Sequence, residues 1–183
     1  MHCLFLLGSS RRDGNTERLA RVAASSLPAN AVHEWLRLDD HPLPEFVDVR
    51  HGEGFGPLGA TARTLADATL ACTDLVFAAP TYWYTVPAST KRYLDHWSHW
   101  MRVPELDFKA RMAKKTLWVI TVNSDDLGAP STSSDPLLAT MRMTADYLSM
   151  KVGGVLVGHA NRPGDVEQDH VALEQAKSFF GAK

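Results

Sequence analysis

Apolar residues in this chain fall into short runs separated by longer stretches of helical spacing. Cys3–Leu7 is the first run and breaks at Gly8. Leu19, Ala20, Ala23 and Leu27 then recur at helical spacing, so a helix is predicted to begin near Thr16. Ala31–Leu38 reads as a strand whose two faces differ only in part, with Val32, Glu34, Leu36 and Leu38 set against His33, Trp35 and Arg37. Asp39–Gly59 holds three prolines and four glycines and is predicted to be a long loop, a length usually kept for function. Thr61–Cys72 carries an apolar helical stripe through Ala62, Leu65, Ala66, Thr69 and Leu70. Asp74–Ala79 and Thr116–Val122 are near-continuous apolar runs of the kind a parallel sheet buries on both faces. Pro87 suits the first position of a helix running to about Met101. A further helix is predicted from Asp135 and Pro136, then a last strand at Val152–Val157, a turn at Gly158–Gly164 and a closing helix over Asp165–Phe180.

Five strands alternating with five helices imply a single α/β domain, a parallel sheet with helices on both faces. Ligands of such sheets sit beyond the carboxyl ends of the strands, where the strand order reverses. The first, third and fourth strands end in three marked loops, GSSRRDGNT from Gly8, PTYWYT from Pro80 and NSDDLGAP from Asn123. Three such loops on one sheet edge define one site.

Composition narrows the partners. The chain has 183 residues and a formal net charge of −2, which supplies no electrostatic attraction for nucleic acid or an anionic membrane. Two cysteines, Cys3 and Cys72, make neither a disulfide framework nor a cluster site, and a reducing compartment is expected. The first apolar run is too short for a signal peptide and no stretch has the length of a membrane span, so the expected location is cytoplasmic.

The loop chemistry points to a phosphate and a planar ring. A polar turn opening into a helix gathers backbone N–H groups and the positive end of the helix dipole, which suits phosphate. Ser9, Ser10, Asn15 and Thr16 add side-chain hydrogen bonds and Arg11 adds a guanidinium fork. Asp13 is expected to face solvent or cap the turn. Ordinary helix capping is the competing reading of the same residues. Neither G-x-G-x-x-G nor G-x-x-x-x-G-K-[ST] is present, so any nucleotide is held in another way. Tyr82, Trp83 and Tyr84 offer flat surfaces with polar tips, and Asn123 and Ser124 offer amide and backbone groups. A phosphate tail with a flat heterocycle, as in FMN, meets that description.

Gly8, Ser9, Arg11, Gly14, Asn15 and Thr16, together with Pro80–Tyr84, Val86, Pro87, Lys91 and Asp95, resemble the two hallmark segments of the flavodoxin-fold NAD(P)H-dependent FMN reductase family. GHANRPGDV from Gly158 resembles a C-terminal motif of many members. The resemblance implies a flavodoxin-like three-layer sandwich with strand order 2-1-3-4-5. It implies that Ser9, Arg11, Gly14, Asn15 and Thr16 hold the FMN phosphate. Pro80, Thr81, Tyr82, Trp83 and Tyr84 would line the flavin and ribityl chain, and Asn123, Ser124 and Asp125 would meet the pyrimidine edge. Many relatives have glycines where this chain has Asn123-Ser124-Asp125-Asp126. The implied activity passes hydride from NAD(P)H to flavin N5 and then to a small acceptor, with no protein acid or base required. The same kinship implies a homodimer or homotetramer, with Tyr93, Trp97 and Trp100 at a subunit contact or, alternatively, in the core.

Three other readings stay open: a flavodoxin-type electron carrier, a quinone reductase, and a non-redox module for a phosphate ligand. Near-neutral charge sets the chain apart from strongly acidic carriers. His96 and His99 lie one helical turn apart but have no second ligand pair, so packing is preferred over a metal. Lys91 and Asp95 read as a helix pair, and Asp125, Asp126 and Asp135 as solvated loop acids.

Overall fold

A computed structural model describes residues 1–127 and 131–181. Gly128, Ala129 and Pro130, part of the third marked loop, lie outside the described residues. The five strands are β1 (His2–Leu7), β2 (Val32–Arg37), β3 (Asp74–Ala78), β4 (Thr116–Asn123) and β5 (Lys151–His159). They form one all-parallel sheet in the order β2-β1-β3-β4-β5, with the order of strand addition switching sides between β1 and β3. This is the flavodoxin-like topology the resemblance implied.

Helices α1 (Asn15–Ala24) and α6 (His170–Ala176) pack on one face of the sheet, where Leu19, Ala20, Phe5, Val76, Ile120 and Leu156 are buried together. Helices α2 (Ala60–Ala71), α3 (Ala88–Trp100), α4 (Phe108–Met112) and α5 (Asp135–Tyr147) contribute to the core that includes Leu6, Phe77 and Val119. β1 is buried along almost its whole length, as its apolar run requires. β2 is the edge strand and is mostly part-exposed, the reason its two faces read alike in sequence.

Four expectations change. The closing helix is broken: Asp165–Gln168 forms a 3-10 turn and α6 starts afresh at His170. The break sits at Asp169, whose carboxylate accepts from Ala172 N (3.0 Å) and from His159 N (2.8 Å), so it caps α6 and ties it to β5. The last strand extends to His159, taking two residues assigned to the turn. Helix α4 was not predicted, because five residues are too few to show a period. Finally, Tyr93, Trp97 and Trp100 are core residues, 0%, 4% and 0% exposed, so the subunit-contact expectation for them is corrected. They pack edge-on with Phe77 and Phe108, and the Tyr93 hydroxyl meets Thr69 Oγ1 at 2.5 Å.

His96 and His99 fasten the long loop to α3. Their Nε2 atoms lie 3.0 Å from Pro44 O and 2.9 Å from Gly56 O. Among the described residues no group of three or more potential metal ligands occurs, and no helix is long and apolar enough to cross a membrane. Both cysteines are free and buried, and burial pushes the Cys3 and Cys72 thiols up to about 12 and about 11, so they are inert at neutral pH.

Candidate flavin site

Register brings the strand ends together. Leu7 pairs with Arg37 on one side and Ala78 on the other, Ala78 pairs with Ile120, and Asn123 pairs with His159. The loops after β1, β3 and β4 therefore leave the same edge of the sheet. Beyond β3 the chain keeps following β4, since Ala79 N donates to Ile120 O (3.0 Å) and Thr81 N to Val122 O (2.9 Å).

The first turn is built from within. Ser9 is nearly buried and its Oγ accepts from Arg11 N (3.1 Å). Gly8 N donates to Ala78 O, and a Cβ on Gly8 would lie 2.1 Å from Thr90 Oγ1 and 3.1 Å from Ala79 Cβ. Only glycine lets the turn pass so close to α3. Asp13 is left-handed, with φ 52°, and its exposed carboxylate accepts from Arg18 Nη2 at 2.7 Å. It faces solvent, away from a repulsive role.

The N-cap of α1 is Gly14, and no side chain caps the helix there. The ordinary-capping reading loses its ground: Ser9 and Asp13 are engaged elsewhere. The first-turn N–H groups are left for an acceptor from outside. Asn15 behaves differently from expectation. Its Nδ2 donates to Arg162 O (2.8 Å) and its Oδ1 accepts from Gly164 N (2.9 Å), so the side chain ties α1 to the turn after β5. What Asn15 can still give a ligand is its backbone N–H.

The second turn is a tight two-residue reversal. Tyr82 N donates to Thr85 O (2.9 Å) and Thr85 N to Tyr82 O (3.0 Å), with Trp83 at φ 48° and Tyr84 at φ 66° between them. Two successive left-handed residues suit Asn-Gly and are strained for aromatic side chains. The turn presents Trp83 with 92% of its surface exposed. Behind it, Thr81 Oγ1 lies 2.9 Å from both Thr121 Oγ1 and Ser134 Oγ, which fixes the turn to β4 and to the start of α5.

In the third loop, Asn123 is buried and fully used: Nδ2 donates to Ser131 and Ser134 Oγ, and Oδ1 accepts from Asp125 N (3.1 Å). The Asp125 carboxylate accepts from Ser131, and hydrogen bonds from Ser131 and Ser133 hold its pKa below the ordinary value. It therefore stays ionised, turned toward serines.

The thirteen residues the resemblance assigned to the cofactor line two adjoining crevices, whereas Ser10, also expected to donate to the phosphate, is exposed and lines neither. One, of about 240 Å3, runs from Ser9, Arg11, Gly14, Asn15 and Thr16 to Pro80, Thr81, Tyr82, Asn123 and Ser124. The other, of about 190 Å3, is lined by Trp83, Tyr84, Asp125 and Ser133, and it shares Thr81, Asn123 and Ser124 with the first. An N–H-rich end joined to an aromatic end fits FMN: the donors match a phosphate, and the shared middle is lined by small polar residues.

Sequence reading missed Arg37, Glu17, Val122 and Ser133, and it quoted Ala160 and Asn161 within GHANRPGDV without placing them at the site. The last two line the phosphate end. Arg37 lies behind the first turn, with Nη1 donating to Ser9 O and Arg11 O (both 3.1 Å) and Nη2 to the Glu17 carboxylate. Glu17 in turn accepts from Asp13 N (3.0 Å) and Arg21 Nη2 (2.7 Å). Burial alone would raise the Glu17 carboxyl, but bonds from Arg37, Arg21 and Asp13 outweigh it and hold the pKa below the ordinary value. Glu17 sits three residues after Gly14, the spacing of a carboxylate that reaches back over a helix start, and that signal was available. Nothing local marked Arg37.

The comparisons agree with this geometry. The family described as NADPH-dependent FMN reductase matches residues 1–161. YwqN of Bacillus subtilis strain 168, whose name infers an NAD(P)H-dependent FMN-containing oxidoreductase, is 33% identical over 175 residues, covering 94% of this chain and 93% of its own. The structure of the Trp repressor binding protein from Bacillus subtilis is 28% identical with a TM-score of 0.76, covering 100% of this chain and 99% of that one. The NAD(P)H:quinone oxidoreductase from Methanothermobacter marburgensis, at 15% identity and a TM-score of 0.67 over 100% and 99% of the two chains, shares the fold. With a family match over most of its length and a relative at this identity, the chain belongs to the NADPH-dependent FMN reductase family.

Proposed function

We propose that this protein is an FMN-dependent NAD(P)H oxidoreductase that passes reducing equivalents to a small acceptor such as a free flavin or a quinone. The observation that carries this reading is the shared crevice, in which an uncapped helix start and an aromatic turn meet across Thr81, Asn123 and Ser124. Ser9, Arg11, Gly14, Asn15 N–H and Thr16 would hold the phosphate. Pro80–Tyr84 and Asn123–Asp125 would line the ring and ribityl chain. When bound, FMN supplies the hydride chemistry, and the protein supplies binding, orientation and electrostatics. Trp83 shields part of the crevice while staying open to solvent, so a second planar molecule has room to approach. Asp125, held ionised, disfavours negative charge accumulating nearby. Assembly into a homodimer or homotetramer and a cytoplasmic location belong to the same reading.

The test is a visible spectrum of the purified protein, followed by anaerobic titration with NADH and with NADPH. A flavin band bleached by either nucleotide supports the proposal. A flavin that neither nucleotide bleaches points to an electron carrier, and a colourless protein that FMN cannot restore points to a non-redox phosphate-ligand module. Steady-state rates with quinones against free FMN then separate the acceptors, and sedimentation equilibrium reads the assembly. Arg11→Ala and Thr16→Ala should each weaken FMN binding about tenfold, the scale of one charge-assisted hydrogen bond.

A further inference from the structure

A cavity larger than either crevice lies elsewhere. It has a volume of about 640 Å3 and shares no lining residue with the flavin crevice. Its walls are Arg50 and residues 54–58 of the long loop, Arg63 in α2, His99 near the end of α3 and the segment 102–105 that follows it. Small-molecule sites run to roughly 300–1,000 Å3, so the size suits an organic ligand better than a bare ion.

Its chemistry is selective. Three guanidinium groups, from Arg50, Arg63 and Arg102, line it against the single carboxylate of Glu105. Asp67 takes Arg63 Nε (2.8 and 3.0 Å) and Asp48 pairs with Arg50, but neither aspartate lines the cavity. These bonds steady the side chains, and they leave both terminal nitrogens of Arg63 without a partner among the described residues. Arg102 is anchored through Nη1 to Ser98 O (2.7 Å) and has no ion-pair partner among the described residues. Its Nε and Nη2 remain as a fork of the kind that receives a carboxylate.

One wall is flat and apolar. Phe55 stacks on His99 with ring centroids 4.5 Å apart and planes 14° apart, and Leu58, Val103 and Pro104 adjoin them. His99 Nε2 faces a carbonyl oxygen, which can only accept, so that nitrogen carries the hydrogen. Burial lowers the His99 pKa, so the ring is neutral at neutral pH and offers a stacking surface rather than a charge. A small inorganic anion would leave this wall wet. Asp48 and Asp67 already offset Arg50 and Arg63, and Glu105 lies near Arg63, so the positive charge left over matches one anionic group rather than two.

We propose that this cavity binds a monoanionic aromatic carboxylate, its ring packed on the outside of the stacked Phe55–His99 pair with Leu58 and Val103, and its carboxylate on Arg102 and Arg63. Binding here is independent of the flavin. The test is isothermal titration of 2-naphthoate into the protein kept saturated with FMN, with the flavin spectrum followed in parallel. The expected result is saturable binding with an unchanged flavin band, weakened at least tenfold by Arg102→Gln and by Arg63→Gln. Phe55→Leu, which keeps every charge, should weaken it as well, and neutral 2-naphthamide should bind at least tenfold more weakly. Absence of binding, equal affinity for acid and amide, unchanged affinity in the arginine variants, or a shifted flavin band would each overturn the proposal. The same titration on protein without FMN separates it from the functional reading, because a failure of FMN binding leaves this cavity intact.

Discussion

Arg37 and Glu17, each with less than a tenth of its side chain exposed, form a buried ion pair directly behind the first turn of the flavin crevice. The arginine end holds the carbonyls of Ser9 and Arg11, and the glutamate end holds the N–H of Asp13. A trans peptide sets N–H opposite C=O. Drawing those two carbonyls onto Arg37 therefore turns the N–H groups of Ser10 and Arg12 away from it. Arg37 in β2 and Glu17 in α1 thus shape the turn from behind, without lining the crevice themselves.

Removing Glu17 strands the Arg37 guanidinium, whereas removing Arg37 leaves Glu17 its bonds from Arg21 and Asp13. Glu17→Leu should destabilise the fold by about 3–5 kcal/mol, as for other broken buried pairs, read by chemical denaturation. Replacing both residues, Glu17→Leu with Arg37→Met, should recover most of that stability while FMN affinity stays low. Riboflavin, which lacks the phosphate, should bind the double variant as it binds the parent. Equal loss for both flavins would show that the pair supports the crevice in general rather than the phosphate turn.

Acid should loosen the same turn. The folded-state pKa of Glu17 is depressed, so its contribution is complete above the ordinary value of 4.5 and is lost as pH falls through the lower folded value. Stability measured from pH 7 downward should therefore fall in that window, and the slope should flatten in the double variant above, which has no carboxylate to protonate.

Gly8→Ala tests the approach of the turn to α3. A Cβ at 2.1 Å from Thr90 Oγ1 forces the turn or the helix to move, at about 1–3 kcal/mol for an overpacked site. FMN retention should fall with it. Adding Thr90→Ala removes the nearer clash and should restore part of both, while the 3.1 Å contact with Ala79 Cβ remains.

The aromatic turn should trade stability against binding. Trp83→Asn with Tyr84→Gly supplies the residues that two positive φ values favour. The melting temperature should rise, since each strained position costs about 1–3 kcal/mol. FMN affinity should drop because the crevice loses its aromatic end. A variant that is both more stable and equally tight for FMN would remove the turn from the site.

The sequence by itself determined the strand–helix alternation and the three loops, because runs such as Cys3–Leu7 and Thr116–Val122 have one stable place, inside a parallel sheet. Since glycine, serine and aromatic clusters after strands are local signals, it also marked most of the residues that line the two crevices from those loops, though not Ser133. It left open whether Tyr93, Trp97 and Trp100 face the core or a partner, because a helix shows its apolar stripe but not what covers it. Only the tertiary structure decided that, along with the break at Asp169, where β5 and α6 share one carboxylate through its two oxygens. It likewise decided the roles of Asn15 and Arg37. Asn15 bonds to residues about 150 positions away, and Arg37 reaches Ser9 across 28. Such partners are set by strand order, which brings β2 beside β1 and the turn after β5 beside the start of α1. A local pattern of residues carries no record of that neighbourhood, since it exists only once the sheet has closed around it.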